Sequence, residues 1–297
     1  RTFTDRTPGS YYLYIAALGK LKKLSDINSA INEDQMCEMK PISYTSRDGL
    51  KINGYLTLPL HTETKNLPLI VLPHNGPGQR NTWGYNAEVQ FFANRGYAVM
   101  QINYRGSAGY GKNFYAAGFK QWGGKIQDDI DDGVKWLISE KIANPKKIAI
   151  YGSGFGGYIA LSAAIKSPQI YKCAASNSGV LNLFSYLNSI PPYLKSNLQM
   201  IYEIVGNPVT EADYISQVSP LFHADKINIP IFITQNNKDP RINANDAIRL
   251  VKELKKRNVP VTYYEKEDSH FVSKREESRQ KVYAALEQFL DGNLNEK

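Results

Sequence analysis

Cysteine is scarce in this 297-residue chain, with only Cys37 and Cys173, far apart and without C-x-x-C spacing. That scarcity excludes a disulfide-built scaffold and a thiolate metal site, and two buried thiols are expected instead. No apolar run approaches the roughly 20 residues that span a bilayer. The opening stretch RTFTDRTPGSYYLYIAALGK has neither the apolar block nor the small-residue cleavage pattern of a secretory signal. An initiator methionine is also missing. A soluble fragment or processed product is expected, with a cytoplasmic location slightly favoured and any address signal lying upstream. Tandem repeats and low-complexity segments are absent too, which excludes solenoid and fibrous classes.

The net charge of +8 raises the question of a nucleic-acid partner, but the basic residues do not gather with aromatics on one element. The densest run, KELKKR (Lys252 to Arg257), falls late in an amphipathic pattern, where cations complement the helix dipole and face water. Neither a nucleic-acid nor a membrane partner is expected, and the oligomeric state is left open.

What is present is a core-forming composition, 42% hydrophobic and 22% charged, enough for one large α/β domain or a domain with an appendage. GSYYLYIAAL and GKLKKLSD look like two short strands joined at a Gly-Lys turn. An isolated hairpin is marginal in water, so residues 1–32 are read as the end of a preceding β domain and residues 33–297 as the main domain. A hairpin turning at Arg47, Asp48 and Gly49 then leads into the buried strand LPLIVLPH. From there apolar strands (YAVMQIN, KKIAIYG, KCAASNSG, IPIFITQN, VPVTYYEK) alternate with helices (NAEVQFFANRG, KIQDDIDDGVKWLISE, YIALSAAIK, NDAIRLVKELKKRN, SKREESRQKVYAALEQFL). This alternation predicts a mostly parallel sheet covered on both faces, interrupted by a helical excursion from Leu181 to about Gln217. Ligands of such sheets bind beyond the carboxyl ends of the strands.

One such end is IYGSGFGGY. The strand runs into a glycine-rich bend and a small-residue helix, the setting of a nucleophile elbow, G-x-S-x-G. Here Gly152, Ser153, Gly154, Phe155 and Gly156 put glycine at the nucleophile position. Gly152, Gly156 and Gly157 supply the room the elbow needs. A phosphate cradle fits neither G-x-G-x-x-G nor G-x-x-x-x-G-K. A frame shifted onto Ser153 would need glycines where Tyr151 and Phe155 stand, so the Ser153 hydroxyl should point away from the tip. Asp239, just past a buried strand, and His270, between the last strand and last helix, complete the chain order nucleophile, acid, base of α/β-hydrolases. In these slots the carboxylate orients the imidazole, which acts as general base. The bland alternatives are a turn aspartate before proline and a surface histidine. His61 looks exposed, and His223 looks like a helix or loop residue without partners.

The stretches LPHNGPGQR, NYRGSAGYGKNF, WGGKIQDDIDDGVKWLI, IYGSGFGGY, KDPRI and SHF together resemble the catalytic domain of the prolyl oligopeptidase family, nearest its acylaminoacyl peptidase and dipeptidyl peptidase branches. The resemblance implies an α/β-hydrolase fold preceded by a β-propeller, whose last blade the first 32 residues resemble. It also implies a peptide substrate and acyl-enzyme chemistry without cofactor or metal. By position, Asp239 and His270 carry over, and the main-chain amides of Gly76 and Phe155 would form the oxyanion hole. The aromatic excursion FSYLNSIPPYLKSNLQMIY would line the specificity pocket.

The departures from the family are Gly154 for the nucleophile, Asn75 for the first glycine of H-G-G-P, Asn236 for a glycine before the acid, and Ser269 for a glycine before the histidine. They leave three readings: a serine peptidase inactive in this form, a peptide-binding or scaffolding pseudopeptidase, and a carboxylesterase-like hydrolase. The last would not explain the propeller-like start.

Overall fold

In the computed structural model, which describes residues 1–266 and 276–295, β1 (Ser10–Ile15) and β2 (Lys20–Asp26) pair antiparallel as a separate two-stranded sheet. The main-sheet strands are β3 (Met39–Thr45), β4 (Lys51–Thr57), β5 (Leu67–Pro73), β6 (Ala98–Asn103), β7 (Ala143–Ser153), β8 (Cys173–Asn177), β9 (Ile231–Asn236) and β10 (Val261–Lys266). They form one sheet in the order β10-β9-β8-β7-β5-β6-β4-β3. From β10 through to β6 every pairing is parallel, while β4 joins both β6 and β3 antiparallel.

The helices are α1 (Ala87–Ala93), α2 (Lys112–Ala116), α3 (Lys125–Ser139), α4 (Phe155–Lys166), α5 (Leu183–Asn188), α6 (Leu198–Val205), α7 (Ala212–Gln217), α8 (Ala244–Lys256) and α9 (Glu276–Leu294). None among the described residues is long and apolar enough to cross a membrane.

Consecutive apolar residues in the central strands leave neither face fit for water, and each face has its own core. Leu69 and Val71 of β5, Met100 of β6, Ile150 of β7 and Ile233 of β9 point to the side covered by α3, α4 and α8. Ile70, Val99, Tyr151 and Phe232 point to the side of α1 and α9. Each fully buried branched side chain contributes about 1.5–3 kcal/mol. Both thiols are buried and unpaired; burial pushes Cys173 up to about 12, so it behaves as a small core hydrophobe. The Lys252, Lys255, Lys256 and Arg257 side chains lie exposed at the end of α8, as expected of a solvated face.

The alternation expected from the sequence is present, with boundary differences that have local causes. The strand expected to begin at Lys146 begins at Ala143, because Ala143 pairs with Leu67. The register shifts between Leu67 and Leu69, around Pro68, which has no amide to give the ladder. The helix expected at Tyr158 starts at Phe155, immediately after the bend.

The hairpin is bare on both sides. Leu13, Tyr14, Leu18, Leu21 and Leu24 are all exposed, up to 68% at Leu21. The residues before it are tied to the main domain instead. The Met39 amide donates to Asp5 Oδ2 at 2.7 Å, and Gln90 Nε2 donates to the Asp5 carbonyl.

The NYRGSAGYG stretch follows β6 and is anchored by Arg105. Its guanidinium donates to Asp129 of α3 at 2.6 and 2.8 Å and to Asp48 of the β3–β4 turn at 2.7 and 2.9 Å. Asp129 is fully buried and the Arg105 side chain nearly so. Removing one member of such a pair leaves the other charge uncompensated. Asp129→Ala is therefore expected to lower the unfolding free energy by about 3–5 kcal/mol, read as a fall in denaturant midpoint at unchanged slope. A change within about 0.5 kcal/mol, the usual range for surface substitutions, would show that Arg105 does not depend on this partner.

Candidate active site

The bend between β7 and α4 depends on missing side chains. A Cβ on Gly152 would overlap the Gly156 carbonyl carbon, and one on Gly156 would overlap the Pro73 oxygen. Strand, helix and the end of β5 therefore pass at backbone contact. Between them Gly154 takes φ 58° and ψ −117°, a region that other residues occupy only at a cost of about 1–3 kcal/mol. This is the conformation of the central residue of a nucleophile elbow, and here it carries no side chain.

The amides expected to form an oxyanion hole do converge on one oxygen, which belongs to Asn75. Asn75 Oδ1 accepts the Phe155 amide at 2.9 Å and the Gly76 amide at 3.0 Å. The Asn75 backbone is held by His74, whose Nδ1 donates to the Asn75 carbonyl at 2.8 Å and whose Nε2 lies 2.9 Å from Ser107 Oγ. The His74 ring stacks on Tyr104 at 4.2 Å between centroids. Burial drives its pKa down from 6.5 to about 4, so at neutral pH the ring is uncharged.

Two cavities meet at Asn75. The smaller, about 180 Å³, is lined by Gly154, Phe155, Trp122, Val180, Tyr186 and Ile242 among others. It is below the roughly 300 Å³ of pockets for whole small ligands and suits a single side chain. The larger, about 600 Å³, is lined by His74, Glu88, Ser153, Asn177 and Lys266 among others. Ser153 faces this second cavity, where its Oγ accepts from Asn177 Nδ2 at 3.0 Å. It therefore points away from the elbow tip, as the spacing predicts.

Asp239 lies beyond the carboxyl end of β9, half-buried, with Oδ1 accepting the amides of Arg241 at 2.9 Å and Ile242 at 3.3 Å. Arg241 and Ile242 border the cavity at Gly154, so the Asp239 loop forms one wall of the site. His270 and Ser269 lie outside the described residues.

His61 is exposed. His223, read from sequence as lacking a partner, has one: its Nε2 lies 3.2 Å from the Ser216 carbonyl. A non-helical φ of −124° at His223 brings the ring to this carbonyl in the last turn of α7, which also accepts the Ser219 amide. Asn75 stands out in the sequence only as a departure from family glycine, Trp122 only as the first residue of the family-like stretch WGGKIQDDIDDGVKWLI, and Val180 not at all. No spacing rule marks them, because their roles come from a rotamer and from packing.

A mostly parallel sheet, a strained elbow at the end of β7 and paired amides beside it define an α/β-hydrolase site. The prolyl oligopeptidase family profile matches residues 83–297, and the chain belongs to that family. It is 34% identical over 98% of its length to dipeptidyl aminopeptidase BIII of Pseudoxanthomonas mexicana, covering 45% of that protein. It is 32% identical to dipeptidyl peptidase family member 6 of Caenorhabditis elegans, over 94% of this chain and 40% of the relative. A puromycin-hydrolyzing peptidase of Mycobacterium tuberculosis shares the fold, with a TM-score of 0.89 at 24% identity over 99% of this chain and 45% of that one. The chain thus spans less than half the length of these relatives.

The low His74 pKa makes a pH prediction. Between 6.5 and about 4 the unfolded chain binds a proton that the folded chain refuses, so stability held at neutral pH is lost as pH falls through that window. The loss due to His74 amounts to about 3 kcal/mol, since each tenfold difference in proton affinity between the two states is worth ~1.4 kcal/mol. His74→Gln should flatten the stability-against-pH curve over this window relative to the unaltered chain. Parallel curves for the two proteins would exclude this role.

Proposed function

We propose that this chain is the hydrolase domain of a prolyl oligopeptidase-type serine peptidase that keeps a peptide-binding cleft but has lost acyl transfer, and so acts as a pseudopeptidase. The observation that carries this reading is the pair of Gly76 and Phe155 amides aimed at one oxygen beside an elbow whose central residue, Gly154, has no side chain. In an active site of this design a serine at 154 adds to the scissile carbonyl. His270 takes the hydroxyl proton, Asp239 holds the imidazole, and the two amides receive the oxyanion. With Gly154 the carbonyl of a peptide can be held but no covalent bond can form. The small cavity beside Gly154, lined by Trp122, Phe155, Val180, Tyr186 and Ile242 together with Asn75, Gln79 and Arg241, takes the neighbouring side chain.

The bare β1–β2 hairpin supports a β-propeller ahead of this domain as a further part of the proposal. Its two strands pair with each other alone, and their exposed Leu13, Tyr14, Leu21 and Leu24, with Leu18 in the turn, bury against nothing among the described residues, as expected for the last blade of a propeller. A longer polypeptide carrying the upstream residues should show β1 and β2 completing a four-stranded blade, with further blades repeating every ~40–50 residues. An upstream sequence without that period would exclude a propeller.

The chain should not be labelled by fluorophosphonate probes, and label mapping to Ser153 would mean the elbow frame is wrong. Gly154→Ser should gain labelling and slow hydrolysis of a chromogenic aminoacyl or dipeptidyl substrate, abolished again by His270→Ala. Backbone conformation alone should make it less stable by up to about 2.5 kcal/mol, the net of ~1–3 for the left-handed conformation and ~0.5–1 regained from glycine's chain entropy. A folded Gly154→Ser protein with no turnover would mean that the triad is no longer assembled and that only binding remains.

A further inference from the structure

We propose that Asn75 is an internal occupant of the oxyanion pocket, and that residues 75 and 154 form one lock in which the missing side chain at 154 makes room for the Asn75 carboxamide. The inference rests on the reading of this site given above and adds how it is closed. A carboxamide oxygen is chemically a peptide carbonyl oxygen, and Asn75 Oδ1 accepts from both amides, at 2.9 and 3.0 Å, as a bound substrate carbonyl would. A Cβ built on Gly154 would meet Asn75 Oδ1 at 2.7 Å, Cγ at 3.1 Å and Nδ2 at 3.3 Å. Its three nearest neighbours are thus all atoms of this one carboxamide. Any residue other than glycine at 154 therefore pushes Asn75 off the amides, and any peptide carbonyl binding there must do the same. The His74 bond to the Asn75 carbonyl holds the backbone from which the carboxamide reaches across. Asn75 is a positioning and blocking residue in this scheme, not a catalytic one.

The test is a double-mutant cycle on stability that needs no catalysis. Gly154→Ala adds the Cβ without a nucleophile, and its backbone strain is the same with or without Asn75, so strain cancels in the cycle and only the contact remains. With Asn75 in place, Gly154→Ala should lower the folded-to-unfolded ratio about tenfold more than it does in the Asn75→Ala background. Hydrogen exchange supplies a second readout. The Phe155 amide should exchange at least about tenfold faster in Asn75→Ala, and Asn75→Asp, whose carboxylate can take both donors, should restore its protection. Additive stabilities within twofold, or Phe155 exchange unchanged by Asn75→Ala, would overturn the lock whatever the activity of any variant. Coupled stabilities with Gly154→Ser and Asn75→Ala/Gly154→Ser both inert toward fluorophosphonate would leave the lock standing and reject an assembled triad around residue 154. Turnover higher in the double variant than in Gly154→Ser alone supports both.

Discussion

Backbone contact between the β7–α4 turn and the end of β5 is the constraint from which the site follows. With Gly156 packed against the Pro73 carbonyl and Gly152 against Gly156, the segment after β5 must cross directly over the first turn of α4. That crossing brings the Gly76 and Phe155 amides within reach of a single oxygen. Ridges of side chains at these glycines would push the strand and helix apart and separate the two donors. The pocket is therefore less a matter of particular polar side chains than of where side chains are missing.

The surrounding groups keep that crossing in register. Phe155 packs against Trp122 at 4.4 Å and Tyr158 at 5.4 Å between centroids, and Tyr104 bridges from the end of β6 to His74. Arg105, next in the chain, ties this end of the sheet to α3 and to the β3–β4 turn through Asp129 and Asp48. A stretch as polar as NYRGSAGYG is thus folded inward because its charge is matched on two sides, consistent with buried ions being tolerated only when paired.

Much of this was legible in the sequence, for reasons that can be named. Uninterrupted apolar strands separated by amphipathic helices require coverage on both faces, so the parallel sheet could be read from periodicity. The elbow could be read because glycine is the residue that both a left-handed φ and backbone contact demand. Asp239 could be placed beyond β9, although its carboxylate bonds to the Arg241 and Ile242 amides are those any turn aspartate makes and do not assign it a role. The occupant of the paired amides could not be read, since that depends on the rotamer of one side chain, Asn75, and on the empty space beside Gly154. Nor could the anchoring of Asp5 under Met39 and Gln90, which joins residues distant in sequence and leaves the hairpin standing clear of the main domain.

Among the departures from the family pattern, the structure separates Asn236 from Asn75. Asn236 is buried at the end of β9, in register with Lys266, on a different loop from the elbow. Asn75 is different, because its carboxamide fills the volume that any side chain at 154 would need. Independent drift places no order on two substitutions, but steric exclusion does. With any Cβ at 154 the Asn75 carboxamide cannot settle on the amides, and with glycine there the pocket offers two donors with no protein acceptor until residue 75 supplies one. Glycine at 154 thus leaves room for the Asn75 carboxamide on the two amides, and asparagine at 75 in turn makes a return to serine costly.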